Sequence, residues 1–326
     1  MTAEPRQDPW TKLTTPNYGL NVLLHPASTH LDCYWAKNSE GRCVFLIELD
    51  EGDHSNMASG VRIPLRGVEV DLKQIRERHT QNLTLTLVRH VDRDIFASLC
   101  DALANSLAEV ESSSVALEVA IQHLRRWKSF LSSGGKRILS PEEVRGLFAE
   151  LQILRKLYQA RLSPAAAVDA WKGPERLHND FVFENLALEI KSLAGTDRNS
   201  VRISSEDQLD STQDRLFLII IGLSENEDSD HACSLNELVT SISDELAEYG
   251  VADEFGNRLA LSGYLPIPEY DQPAFLVTTE SGYIVADNFP RLTRTAIPEG
   301  LFGVRYQIRI EQLDGFSCDL ATVWGS

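Results

Sequence analysis

No run of apolar residues in this chain is longer than 216–223, so it holds no stretch of the roughly 20 residues that a membrane-spanning helix needs. Residues 1–15 are polar and carry Pro5 and Pro9, which is the build of neither a signal peptide nor an anchor. Cys33, Cys43, Cys100, Cys233 and Cys318 are odd in number and widely scattered, with no Cys-x-x-Cys pair and no nearby His at zinc-ligand spacing. They read as reduced core thiols of a cytoplasmic protein, and a structural zinc is not expected. A Gly-x-x-x-x-Gly-Lys phosphate loop, a Gly-x-Gly-x-x-Gly after a strand and a Gly-x-Ser-x-Gly elbow are all missing. Internal repeats and low-complexity segments are missing as well.

Positive charge is also scarce. The 326 residues carry 31 Lys and Arg against 48 Asp and Glu, a formal net charge of -17. That balance argues at first against a nucleic-acid partner, because phosphate attraction supplies much of such affinity. The distribution is uneven, however. Residues 120–176 hold a basic block, from Arg125, Arg126 and Lys128 to Arg155, Lys156, Arg161 and Lys172, whereas 206–254 hold a single base, Arg215, among many acids. Two readings stay open: solvated helix faces of opposite sign, or a basic groove facing a polyanion on the 120–176 side.

Alternating apolar residues at 34–35, 43–49, 61–64, 68–72 and 83–88, separated by glycines and polar clusters, predict a small antiparallel β module. Helical spacing follows over 94–131, with a break near 112–114 and a linker at 132–136. Ser140-Pro141-Glu142-Glu143 is a helix start with Ser140 as N-cap, Pro141 at the first position and Glu143 completing a capping box. That helix runs to about residue 162 over a stripe of Val144, Leu147, Phe148, Leu151, Leu154 and Leu157, with Glu150 at its margin. A short helix over 164–171, the turn Lys172-Gly173-Pro174, two strands around Glu184-Asn185 and a third strand at 201–204 come next. A helical turn at 205–208, a fully buried strand at 216–223, an acidic loop at 225–230 and a helix over 234–249 follow. Strands at 264–267, 274–277, 283–287 and 304–310 close the chain.

The stretch 178–192 carries the chemistry. Asp180 opens one apolar strand, and Glu189-Ile190-Lys191 lies on the next. Successive strand side chains point to opposite faces, so Glu189 and Lys191 share a face about 7 Å apart while Leu188 and Ile190 face away. A turn at Glu184-Asn185 would fold the second strand back and bring Asp180 near Glu189. Two carboxylates and an amine on one patch are the parts needed to hold Mg²⁺ and position a water against a phosphodiester. An acid-x-Lys triplet alone says little, since a chain of this length is expected to contain one by chance. Asp71-Leu72-Lys73 is such a triplet, and it lacks the upstream acid at a strand start and the preceding helix with its Glu.

The helix with Glu150, Trp171-Lys172-Gly173-Pro174, Asp180-Phe181, Glu189-Ile190-Lys191-Ser192 and Gln208-Leu209 together resemble the PD-(D/E)xK nuclease superfamily. More closely, the chain is similar to a bacterial PD-(D/E)xK motif family found beside DNA methyltransferases and ATPases in defence-type gene clusters. The motifs span about 140–225, and Asn179 stands where the motif's Pro would be. The resemblance implies an α/β (α+β) restriction-endonuclease-like core with a mixed central sheet flanked by helices. It also implies that Asp180 and Glu189 ligate Mg²⁺, or Mn²⁺ in its place, with the Ile190 backbone carbonyl as a further ligand. Lys191 would orient or deprotonate the attacking water. Glu150 would supply an outer-shell or second-metal carboxylate, or else be an ordinary solvated helix Glu. Gln208 would touch water or substrate, or only close the capping box begun by Ser205. His178 is open to a substrate contact or a bland loop role; Asp197, Arg198 and Arg202 flank the strand pair, and Arg202 is open to a phosphate contact or a surface role. Trp171 reads as packing.

The expected organisation is a β-rich module at 1–93, a helical connector at 94–135, a nuclease-like core at 136–232 and a C-terminal α/β extension at 233–326 that continues the core's surface. The expected function is a cytoplasmic Mg²⁺-dependent DNA endonuclease of bacterial phage defence or DNA processing. It would work with protein partners, away from membranes, and as a possible homodimer. The rival expectation is a catalytically silent nuclease-fold subunit that binds DNA or a partner, which the acidic 206–254 segment favours.

Overall fold

The computed structural model describes residues 8–50, 65, 67–75, 80–88, 92–132, 138–175, 177–194, 199–226 and 229–324. The strand expected at 61–64, most of the linker at 132–136, and Asp197 and Arg198 lie outside the described residues. Two compact units emerge, Met1–Ile138 with Gly263–Pro268, and Leu139–Ser262 with Glu269–Ser326. Among the described residues, no helix is long and apolar enough to cross a membrane.

The first unit is an antiparallel sheet with two helices. Strands β1 (Leu20–Leu24), β2 (Cys33–Asn38), β3 (Cys43–Asp50), β4 (Val68–Ile75) and β5 (Thr80–Leu87) lie in the order β1-β2-β3-β5-β4. Helices α1 (Arg93–Leu107) and α2 (Ser113–Ser132) follow, with the break where the serine cluster placed it. Trp10 stacks on Phe96 with centroids 5.4 Å apart and meets Trp35 edge-on at 4.8 Å. Strand β1 escapes pattern reading because Leu20, Val22, Leu23 and Leu24 are all exposed, so no alternation marks it.

The second unit opens with α3 (Pro141–Ala160), and both arms of the Ser140–Glu143 capping box are made. Its whole predicted stripe is buried. Next come α4 (Pro164–Ala170), β6 (Phe181–Phe183), β7 (Leu186–Ala194), β8 (Ser200–Ile203) and β9 (Arg215–Glu225). The chain then forms α5 (Leu235–Ala247), α6 (Ala252–Leu261), β10 (Phe275–Ile284), β11 (Tyr306–Arg309), β12 (Ser317–Cys318) and α7 (Ala321–Trp324). The main sheet has the order β12-β10-β9-β7-β6, with β7 and β9 parallel and its other pairs antiparallel, which is the mixed sheet of an α/β fold. Strand β9 is buried from Leu216 to Leu223, as expected of a strand covered on both faces. Leu216, Leu218 and Ile220 join Ala187, Val201, Ile203, Leu209, Tyr283 and Ile308 in one core.

Several expectations are corrected. The strand at 201–204 does not extend the motif strands but pairs β8 with β11 as a separate ribbon. Residues 264–267 form no strand. Two expected strands at 274–277 and 283–287 are largely one, β10, which accommodates an irregularity between Val277 and Thr279 where Gly222 lies opposite. The C-terminal segment supplies β10 and β12 to the sheet itself rather than only continuing its surface.

Candidate active site

Strands β6 and β7 form a hairpin through Glu184-Asn185, in the register Phe181↔Leu188, Val182↔Ala187 and Phe183↔Leu186. Glu184 takes a positive φ of 51°, as tight reversals demand. The register sets Asp180 one step beyond Phe181, opposite Glu189. The carboxylate reaches across: the Ile190 N–H donates to Asp180 Oδ2 at 2.7 Å. In the parallel ladder Glu189 lies beside Leu218 and Lys191 beside Ile220, so both side chains project into the face that β8 and β11 cover.

That placement buries Glu189 completely, and its side chain is 1% exposed. The Lys191 Nζ lies 2.6 Å from Glu189 Oε1. This contact is a close ion pair off the hydrogen-bonding direction, and among the described residues Oε2 has no hydrogen-bond partner. Burial raises the Glu189 carboxyl well above its usual range, and the Asp180 charge adds to the rise while Lys191 opposes it. Asp180 is likewise raised by burial, with Lys191 and the Ile190 N–H pulling it down. Burial works against the Lys191 ammonium, yet Glu189 and Asp180 outweigh it and raise the amine above its ordinary value. Lys191 is therefore a cation here, matched against more acids than it can neutralise.

Glu150 reaches this group from α3. Its Oε2 accepts from the Trp171 indole N–H at 2.7 Å. Burial, and then the Asp180 charge, push its carboxyl up to about 8. Trp171 is fully buried, so the packing reading holds, and its indole N–H adds a polar contact that the sequence did not announce. Gly173 joins the two halves. Its N–H and that of Lys172 donate to the Asp180 carbonyl at 3.1 and 2.7 Å, while a Cβ on Gly173 would stand 2.5 Å from Glu150 Oε2. Only glycine lets this turn pass between the two acids.

Behind the turn stands Arg258 of α6, with a side chain 10% exposed. It donates to the Trp171 carbonyl at 2.7 Å, to Glu175 at 2.9 Å and to Asp169 and Glu254 at 3.1 Å. Sequence reasoning missed Arg258, although it is the single Lys or Arg between Arg215 and Arg291. A lone cation in an acidic stretch is the signal that could have found it. Tyr306 was missed too. Burial raises its phenol, and smaller opposite effects of Glu189 and Lys191 place the ring within electrostatic reach of the cluster.

Other expected residues stand apart. Gln208 turns its Oε1 to the Ser204 N–H at 2.7 Å, within a turn rather than a helix, and its carbonyl accepts from Asn179 Nδ2 at 2.9 Å. His178 is exposed and lies 3.9 Å from Asp207, on the wall of a cavity of about 380 Å³. Arg202 lies 3.7 Å from Glu142 at the surface. The basic block is partly consumed internally. Arg155 pairs with Glu245, Lys156 with Glu280, Arg161 with Glu184 and Lys172 with Asp169.

Whether the donors suit a hard cation can be judged from the chemistry present. Among the described residues, no three His, Cys, Asp or Glu side chains meet at metal-ligating spacing. Among the described residues Glu189 nevertheless keeps Oε2 without a donor, and Asp180 uses Oδ2 for the Ile190 N–H. Two carboxylates of this kind fit Mg²⁺, which retains most of its waters and takes further oxygens from a phosphate substrate.

A mixed sheet whose β6–β7 hairpin offers Asp180, Glu189 and Lys191 beside a helix carrying Glu150 defines a PD-(D/E)xK-type protein. The chain belongs to the family described as "Putative PD-(D/E)XK family member, (DUF4420)", whose family model matches residues 6–311. No curated protein and no solved structure matches the chain. Membership carries a nuclease-like fold.

Proposed function

We propose that this protein is a Mg²⁺-dependent DNA endonuclease acting in bacterial defence or DNA processing, with protein partners. The observation that carries the reading is Glu189: a fully buried carboxylate with one unpartnered oxygen, held between Asp180 and the Lys191 ammonium. Leaving such an oxygen without a partner costs about 1–3 kcal/mol, more for a charged group, so the arrangement makes sense when a cation shares it. Asp180 and Glu189 would hold the metal, with the Ile190 carbonyl as a further ligand and Mn²⁺ able to replace Mg²⁺. The metal supplies Lewis-acid polarisation of the scissile phosphate and lowers the pKa of a bound water. Lys191 orients that water and offsets the charge that grows on the phosphoryl oxygens. Glu150, its Oε2 held by the Trp171 indole N–H, would supply an outer-shell or second-metal carboxylate from α3.

A second reading, a silent nuclease-fold subunit, is favoured by the internal pairing of Arg155, Lys156, Arg161 and Lys172, which leaves fewer cations for DNA. Plasmid cleavage with Mg²⁺ or Mn²⁺ decides between them. Wild type should nick or linearise the plasmid, and Lys191→Ala should lose this activity. Undiminished cutting by Lys191→Ala ends the assignment. Millimolar Mn²⁺ should also raise the melting temperature of wild type and not of Asp180→Ala, and no rise in wild type favours the silent subunit.

A further inference from the structure

Leu301 and Phe302 stand side by side in solvent, 60% and 82% exposed. The backbone puts them there. Gly300 and Gly303 flank the pair with φ of +90° and +67°, and nothing lies within 4 Å of where a Cβ would stand on either. Glycine is required at both by backbone conformation and not by crowding, and the pair of reversals holds the two apolar side chains out from the surface.

The loop beneath this tip is tied down. The Gly303 and Val304 N–H groups donate to the buried Glu206 carboxylate at 3.2 and 2.8 Å. Arg294 donates to Asp207 at 3.2 Å, and Arg291 donates to the Leu209 carbonyl. All three anchors belong to the turn 206–209, whose Gln208 carbonyl is held by Asn179, the neighbour of Asp180. On its other side the loop runs into Tyr306, whose phenol is weakly influenced by the Glu189 and Lys191 charges. An apolar tip is thus tied to the turn that Asn179 joins to the strand opened by Asp180.

Charge identifies what it meets. In a chain of net charge -17, residues 291–309 carry Arg291, Arg294, Arg305 and Arg309 against Glu299 alone, although Arg294 pairs with Asp207 and Arg309 with Glu311. Arg305 is exposed and, among the described residues, makes no ion pair. Basic residues interleaved with an exposed aromatic are the parts of a nucleic-acid contact: cations for phosphates and a flat ring for bases. Such apolar tips also wedge between base steps.

We propose that the 298–305 loop is a DNA-contacting element in which Leu301 and Phe302 stack on or between bases while Arg305 meets the backbone. The choice of DNA as the polymer rests on the nuclease reading above. Anisotropy of a fluorescein-labelled duplex, titrated with the full chain in Ca²⁺ to suppress cleavage, tests it. Phe302→Ser should weaken binding by about tenfold with the salt slope unchanged, whereas Arg305→Ala should lower that slope by about one. A 2-aminopurine duplex should brighten with wild type and not with Leu301→Ser/Phe302→Ser, since only unstacking relieves its quenching. Both substitutions remove exposed apolar surface, and unchanged melting temperatures confirm that the fold is kept.

Binding by Phe302→Ser within about twofold of wild type overturns the proposal. A wild type that binds no duplex overturns it as well, and gives the tip to a protein partner. Duplex binding that depends on Phe302 in a protein that cuts nothing with Mg²⁺ keeps the contact and removes the nuclease reading instead.

Discussion

Glu189→Gln should make the metal-free protein more stable at neutral pH. The wild-type carboxyl is raised well above its ordinary value, first by burial and then by Asp180, so the folded state holds a proton that the unfolded chain gives up. The sign follows from linkage. For a group whose folded-state value is raised, stability is fully present below the unfolded value and is lost as pH rises toward the folded one. Gln, which does not titrate, escapes that loss and keeps an oxygen for Lys191. The advantage of the variant should therefore grow with pH above the ordinary carboxylate value, by at most about 1.4 kcal/mol per pH unit and so at most about 2–3 kcal/mol between about pH 5.5 and pH 7.5. For a unit the size of Leu139–Ser262 with Glu269–Ser326, that is roughly 4–10 °C in melting temperature. Calorimetric melts in EDTA at both pH values measure it directly. A variant that melts below wild type at the higher pH, or a difference that does not change with pH, refutes the account of Glu189 as an uncompensated buried acid.

Gly173→Ala sets a Cβ against Glu150 Oε2 and should push that carboxylate off the Trp171 indole; cleavage should fall about tenfold with little change in melting temperature. Cleavage equal to wild type would show that the Glu150 position does not matter. Arg258→Ala takes away the donor to the buried Trp171 carbonyl and the cation beside Glu175, Asp169 and Glu254, which are exposed enough for water to solvate, so it should destabilise by about 1–3 kcal/mol in denaturant melts. A loss under about 1 kcal/mol would place these pairs with ordinary surface ion pairs.

Much of the site was legible because its signals are local. The capping box of Ser140 and Glu143 closes within one helical turn, and strand alternation alone puts Glu189 and Lys191 on one face. The two-residue turn at Glu184-Asn185 fixes which residue of β6 meets Glu189. What was hidden depends on pairings far apart in the chain. Nothing near Val201 announces that β8 will leave the motif strands for β11, more than 100 residues on. Trp171 and Glu150 meet only after α3 and α4 have packed, and Arg258 arrives from a helix that pattern reading left out. Gln208 was open to a site role or to local turn closure, and its side-chain oxygen accepts from the Ser204 N–H four residues back, a contact of the second kind.

The β6–β7 hairpin also bears on the order in which this unit assembles. Asp180 and Ile190 are ten residues apart, so closing that hairpin costs little chain entropy, and it can form while both carboxylates are still wet. Their desolvation comes only when the rest of the sheet closes over them, with Leu218 of β9 arriving beside Glu189 and the β8–β11 ribbon joining Val201 to Ile308. Where that closure follows the folding barrier, the electrostatic penalty of the site falls after it. On this footing the crowded acids leave the rate of folding untouched and shorten the lifetime of the native state, so a bound cation would act chiefly as a brake on unfolding.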